Sequence, residues 1–245
     1  MQINNLLIFD IKGKFGHFKK FYSNSSSLTY YFPPKTTILG MIASILELPR
    51  DSYSELFKKE NCLISLSIKT PLKKNIQCMN YENWKDNKST YTQVRLEVLS
   101  AINKKQLRYR IYLWHKDLEM LKNLKNKLIS SDNGYGVYLG QRQFIAKTCF
   151  IDLISSDNIV LNENSNKINS VTPLKNIVGL PIMSEEKEYV RSRMPVLLNN
   201  DRELLLSQEF LSEIKSSIIE GEIRDTYTIK YLENRKVIKE DIVLY

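Results

Sequence analysis

The chain has little of what builds the commonest catalytic and metal centres. Of its 245 residues only two are histidine, His17 and His115. They lie far apart and form no HExxH-type spacing. The three cysteines, Cys62, Cys78 and Cys149, are odd in number and make no CxxC pair. That argues against a disulfide framework and a cysteine-rich zinc site, so no metal site and no cofactor are expected. No run reaches the roughly 18 apolar residues that a membrane span needs. The opening MQINNLLIFDIKG places no basic segment before a long apolar one. A reduced, cytoplasmic, soluble protein without a membrane partner is expected. Neither a tandem repeat nor a low-complexity tract is evident.

Acidic residues are missing from one stretch in particular: none falls between Asp10 and Glu47. Within that gap, Lys12 to Lys35 (KGKFGHFKKFYSNSSSLTYYFPPK) holds five lysines and seven aromatic rings. Such a set suits an anionic polymer with flat faces, because lysines neutralise phosphates while rings stack on bases. The alternative is a basic loop whose rings fall into the core. Charge is uneven over the whole chain as well. Residues 1 to 150 carry 24 Lys and Arg against 11 Asp and Glu, and residues 151 to 245 carry 12 against 16. A basic first part and a mildly acidic last part suggest that the first meets nucleic acid or an acidic surface.

Residues 3–11 read as a buried strand. The basic loop follows, with Gly13 and Gly16 allowing tight turns and Ser23 to Ser27 expected to be mobile. Pro33 and Pro34 stop it, and Thr36 or Thr37 is expected to cap a helix from Thr37 to about Leu48. A short helix is considered at 53–59 and a strand at 62–70. Residues 72–106 are polar and harder to assign, with a strand at 92–99. Residues 107–114 (LRYRIYLW) alternate clearly, and the strands 92–99 and 107–114 are expected to pair as a projecting hairpin. An amphipathic helix at 117–129 carries Leu118, Leu121, Leu124, Leu128 and Ile129 as its stripe. A further strand spans 144–154.

The order is β-α-β, a polar insertion, then β-α-β. That is the α+β, ferredoxin-like arrangement, which RNA-recognition domains also use. It predicts a domain over 1–154 with a thumb insertion at about 72–106, and a smaller β-rich lobe over 155–245. In that lobe, strands are expected near 176–183, 194–198, 222–231 and 236–245, and a helix near 204–219.

With these elements placed, the sequence resembles a known family. FDIKGKFGHFKKFYSNSSSLTYYFPPKTTILGMIASIL, TQVRLEVL, LRYRIYL and YLGQRQFIA stand in the order found in the fifth-numbered Cas protein family of the RAMP superfamily, with the subtype I-B branch nearest. The resemblance covers most of residues 3–150. It implies a CRISPR-associated subunit that binds the 5′ handle of the guide RNA between palm and thumb. It also implies that the subunit caps the backbone filament of a type I Cascade complex, in antiviral defence. The implied partners are the guide RNA, the Cascade backbone and large subunits, and target DNA near the foot of the complex. Most branches do no chemistry; one cuts precursor guide RNA with Tyr, Lys and His residues.

The candidate RNA-binding residues follow from both readings. Lys12, Lys14, Lys19 and Lys20 are first choice for phosphate, with Gly13 and Gly16 permitting close approach. Tyr22, Tyr30 and Tyr31 are candidates for stacking, while Phe15, Phe18, Phe21 and Phe32 are expected in the core. Lys35 and Thr36 stand at a helix start, a natural phosphate site, where capping explains Thr36 equally well. Arg108 and Arg110 share one strand face, suited to RNA or to pairing with Glu97. Gln93 and Arg95 lie on the thumb, and Gln141, Arg142 and Lys147 surround the YLG segment. A non-catalytic role is expected. The alternative is a metal-independent endoribonuclease built on His115 and Lys116, or on His17, since a 2′ proton and a leaving group need a base and an acid.

Overall fold

The computed structural model describes residues 3–23, 27–50, 52–82, 91–102, 105–179, 185–199, 201–215 and 218–245. The uninterrupted apolar run LLIF, Leu6 to Phe9, lies at the centre of the fold in β1 (Asn5–Gly13). Two short strands follow, β2 (Phe18–Lys19) and β3 (Thr29–Tyr30), then α1 (Lys35–Ile45) and β4 (Cys62–Ile68). After β5 (Leu72–Glu82) and β6 (Tyr91–Ala101), the second unit comprises β7 (Leu107–His115), α2 (Leu118–Ser130) and β8 (Ala146–Ser155).

β1, β4, β7 and β8 make one antiparallel sheet in the order β4-β7-β1-β8. Alternation gives it two faces. Leu7, Phe9 and Ile11 of β1, with Tyr109, Ile111 and Leu113 of β7, meet Ile38 and Ile42 of α1 and Leu121 and Leu124 of α2 in the main core. Each such fully buried side chain contributes about 1.5–3 kcal/mol. Leu6, Ile8, Tyr112 and Trp114 point the other way, into a second core.

The second core is closed by the last third of the chain. There β9 (Ile159–Ile168), β10 (Thr172–Pro173), β11 (Tyr189–Leu198), β12 (Leu204–Glu213), β13 (Ile219–Glu233) and β14 (Lys236–Ile242) form two three-stranded sheets, β14-β13-β9 and β10-β12-β11. Ile229, Tyr231 and Ile242 of the first of these pack on Leu6, Ile8 and Tyr112. The sheet face opposite the helices is therefore covered by a second sheet.

Several local expectations change. α1 begins at Lys35 with Pro34 as N-cap and no side-chain cap, so neither Thr36 nor Thr37 serves that role. The fixed φ of Pro34, −57° with ψ of 155°, turns the chain into the helix instead. α2 is capped by Asp117, whose side chain accepts from the N–H groups of Glu119 and Met120. Residues 54–57 form turns. β6 pairs with β5, from Leu72 opposite Ala101 to Glu82 opposite Tyr91, whereas 107–114 joins the central sheet. Residues 204–213 are a strand paired with β11, not a helix. Their clustered leucines meet a helical template locally, but the cross-strand partners decide. Of the stretch near 176–183, residues 174–176 form a 3₁₀ turn, and 180–183 lie outside the described residues. Residues 24–26 of the serine-rich run and residues 83–90 of the expected thumb lie outside them too.

Candidate nucleic-acid interface

The basic loop is held on two sides. Gly16 exchanges backbone hydrogen bonds with Leu99 of β6, at 3.2 and 2.8 Å, and His17 N donates to Leu139 O at 3.0 Å. A Cβ on Gly13 would lie 2.6 Å from Leu139 Cδ1, and one on Gly140, at φ +88°, would lie 1.9 Å from His17 O. These glycines fit the loop against the 138–145 segment. Gly13 and Gly16 thus serve internal packing rather than the approach of a ligand. Further along, the side chain of Glu97 accepts from Thr29 N at 2.8 Å and from Lys74 Nζ at 3.2 Å. Loop, ribbon root and YLG segment form one connected edge.

Along this edge the cations separate into free and engaged. Lys14 and Lys19 are exposed, as are Arg95 on β6 and Arg142, and none has an ion-pair partner among the described residues. Gln93 is exposed too; Gln141 is half-buried and accepts from Gln143 Nε2 at 2.6 Å. The Nζ of Lys20 stands 5.7 Å from the ring centre of Tyr22 and 6.0 Å from that of Tyr30. Tyr22 is 53% exposed, and its ring meets Phe21 edge-on at 5.2 Å. Phe15 lies against Phe144 at 6.5 Å. Phe18 and Phe32 are in the core as expected, but Phe15 and Phe21 are exposed. Lys12 and Lys147 face each other across β1 and β8, outside the loop proper.

Other candidates are committed inside the fold. Tyr30 is 1% exposed and its hydroxyl donates to Arg193 O at 2.6 Å, so its ring is closed to a base. Tyr31 is half-buried, with Lys74 Nζ 4.5 Å from its ring centre and its carbonyl accepting from Tyr109 Oη at 2.8 Å. Lys35 is buried and donates to Tyr245 O at 2.9 Å; burial lowers its pKa. Its ammonium serves the fold, not a phosphate. Thr36 is half-buried beside a cavity of about 320 Å³ lined also by Tyr53, Phe57 and Val196.

Arg108 and Arg110 do share a face, but it is the covered one. Arg108 Nε donates to Asp10 at 2.5 Å and its Nη2 to Glu233 at 2.5 Å. Arg110, 1% exposed, donates to Asp10 at 2.8 Å, to Glu233 at 2.6 and 2.8 Å, and to Tyr231 Oη at 2.5 Å. Neither pairs with Glu97. Burial opposes the Arg110 charge, but its bonds to Glu233 and Asp10 outweigh burial and raise its pKa. The same contact with Arg110 holds the Glu233 carboxyl down at about 2. Tyr112 extends this buried network, donating to Glu240, which also pairs with Lys69. Arg108 and Arg110 thus join the two sheets, and the buried Arg110 presents no charge to RNA.

The histidines are similarly engaged. His17 is buried; its Nδ1 donates to Glu97 O at 2.7 Å, which leaves Nε2 as an acceptor with no partner among the described residues. Burial lowers its pKa. His115 is buried as well, its Nε2 donating to Leu56 O at 2.9 Å and its Nδ1 accepting from Asp117 N at 3.0 Å. Lys116 is exposed. Sequence reasoning missed Asp10 and Glu233 as partners of the arginines. Asp10 carried a signal, as the last carboxylate before a long acid-free stretch and in a strand otherwise apolar.

No protein-family model matches the sequence, and no curated protein matches it. Solved structures do. The chain is similar to a CRISPR protein from Archaeoglobus fulgidus, at 15% identity and a TM-score of 0.52, over 96% of this chain and 99% of that one. It is also similar to a chain of a CRISPR RNA-guided surveillance complex, at 11% identity and a TM-score of 0.51, over 89% and 91%. At these identities the likeness is one of fold. The chain has an α+β fold, mostly strand with two helices among the described residues, of a kind found in CRISPR proteins.

Proposed function

We propose that the chain is a non-catalytic RNA-binding subunit of a CRISPR effector complex. Within that class we assign it the role of holding the 5′ handle of the guide RNA in a type I, I-B-like Cascade. The observation that carries this is the set of exposed cations Lys14, Lys19, Arg95 and Arg142, without ion-pair partners among the described residues, beside the exposed rings of Phe15, Phe21 and Tyr22. Such an edge neutralises phosphates and offers faces to bases. The likeness of fold to the archaeal CRISPR protein and to a chain of the surveillance complex supports an RNA-guided setting.

The strand order β4-β7-β1-β8 around two β-α-β units supports reading residues 1–154 as a ferredoxin-like palm. The β5–β6 ribbon, within 72–106, is then the thumb, and 155–245 the second lobe. In this role the partners are the guide RNA, the backbone subunits whose filament it caps, the large subunit and target DNA near the foot. The backbone hydrogen bonds of His17 and His115 support binding over cleavage, because each ring is already held by the fold.

The test is a gel-shift assay of purified protein with its repeat-derived RNA in EDTA. Intact RNA shifted at moderate salt is expected. Cleavage at one position would move the assignment to a metal-independent ribonuclease. RNA that is neither shifted nor cleaved would overturn the assignment for the isolated subunit.

A further inference from the structure

A recess of about 240 Å³ opens between the central sheet and the turn joining β13 to β14. Lys12, Arg108 and Cys149 line one wall, and Glu233 and Asn234 the other. The strand register sets Lys147 opposite Lys12, and Lys12 opposite Arg108. Residues directly opposite in antiparallel strands point to the same side, where like charges repel. A row of three cations across β8, β1 and β7 therefore needs negative charge.

The protein supplies only part of it. Asp10 and Glu233 are taken up by two guanidiniums, those of Arg108 and Arg110. Lys12 Nζ lies 3.8 Å from Asp10, at the long limit of a contact already shared with both arginines. Lys147 has no ion-pair partner among the described residues. Two ammonium groups are left over beside a polar recess. Arg108 is fixed through Nε and Nη2, which leaves Nη1 without a protein acceptor among the described residues.

We propose that this recess binds the phosphate of a nucleotide, with Lys12 and Lys147 as the cations and Arg108 Nη1 as a fixed donor. Its volume is below the roughly 300 Å³ at which pockets for drug-sized ligands begin, and suits a phosphate with part of its sugar. A free nucleotide and an RNA chain would present the same group; the second source rests on the RNA-binding reading above.

Cys149 lines the recess and is half-buried, whereas Cys78 is exposed on the ribbon and Cys62 is buried. Alkylation with iodoacetamide, mapped by mass spectrometry, reads the two accessible thiols separately. Adenosine monophosphate or the repeat-derived RNA is expected to slow labelling of Cys149 severalfold. Adenosine monophosphate should leave Cys78 unchanged, and the protection of Cys149 should disappear in the folded K12Q/K147Q variant. Protection by the mononucleotide identifies a free nucleotide as sufficient; protection by RNA alone assigns the phosphate to the chain. Cys149 labelled at the same rate with either, or protection that survives in K12Q/K147Q, overturns the proposal. RNA shifted in a gel with Cys149 fully reactive would sink the recess and leave the RNA-binding reading standing. Protection by the mononucleotide without any RNA shift would do the reverse.

Discussion

His17 and Glu97, 80 residues apart in sequence, meet at 2.7 Å through the ring Nδ1 of the first and the backbone carbonyl of the second. The bond joins the basic loop to the root of the ribbon at the point where Glu97 also takes up Thr29 N and Lys74. Loop position and ribbon position are thereby set together.

Reversing Lys19 and Lys20 to Glu should weaken RNA binding by orders of magnitude with the fold intact. Lys19 is exposed, and the ring contacts of Lys20 lie on the surface of the loop. Removing two phosphate contacts on a single strand should flatten the dependence of log K on log salt by about 1.4. Titrations at several salt concentrations, with circular dichroism as the control for folding, check this. Unchanged affinity at physiological salt would remove these lysines from the interface.

Truncating Arg110 to Ala should destabilise the protein by about 3–5 kcal/mol, because buried Asp10 and half-buried Glu233 would be left close together with only Arg108 to neutralise both. Urea denaturation measures it. A loss below about 1 kcal/mol would mean that water replaces the guanidinium.

The acid limb of stability should depend on Glu233. Its carboxyl is held at about 2, against an ordinary value of 4.5. A depressed carboxyl contributes stability that is complete above about pH 4.5 and is lost as the pH falls toward 2. The contribution is on the order of 2 kcal/mol after allowance for its partial exposure. In E233Q this part of the pH–stability curve should be flat; an unchanged curve would shift the effect to other carboxylates.

His17 acts in a higher window with the same sense. Burial lowers its pKa in the fold, while the unfolded chain takes up a proton near pH 6.5. Stability should therefore decline as the pH drops below about 6.5. Hydrogen-exchange protection factors at Gly16 and Leu99, the backbone pair beside it, should fall in the same range once the intrinsic pH dependence of exchange is divided out, and H17Q should remove that fall.

Gly140→Ala should be costly wherever RNA binds. The substitution combines a φ of +88° with a Cβ 1.9 Å from His17 O, a strain of at least about 1–3 kcal/mol. A drop in Tm is expected, together with weaker RNA binding, because the loop would be displaced from Leu139.

The parts legible in the sequence were those whose signal is local. The alternation of LRYRIYLW placed β7, the stripe of Leu121, Leu124 and Leu128 placed α2, and the apolar run after Asn5 placed β1. β5 and β9 escaped because KKNIQCMNYE and NENSN carry no apolar period; they are strands because β6 and β13 offer them partners. The site divided in the same way. Lys14 and Lys19 stand exposed where the acid-free stretch placed them. Arg110 was misassigned because its neutralising partner Glu233 is 123 residues away, beyond the reach of any local pattern.

The ribbon is also a lever. Each of its strands is eleven residues long, about 37 Å, yet only its inner residues, such as Leu72, Leu96, Val98 and Leu99, are buried. The six residues from Tyr91 to Leu96 span about 20 Å. A rotation of about 10° at the root would carry the far end of that span sideways by about 3 Å, the length of a hydrogen bond. The bonds that Glu97 accepts from Thr29 and His17 therefore act as a fulcrum, and the smallest adjustment there is read out, magnified, at Tyr91.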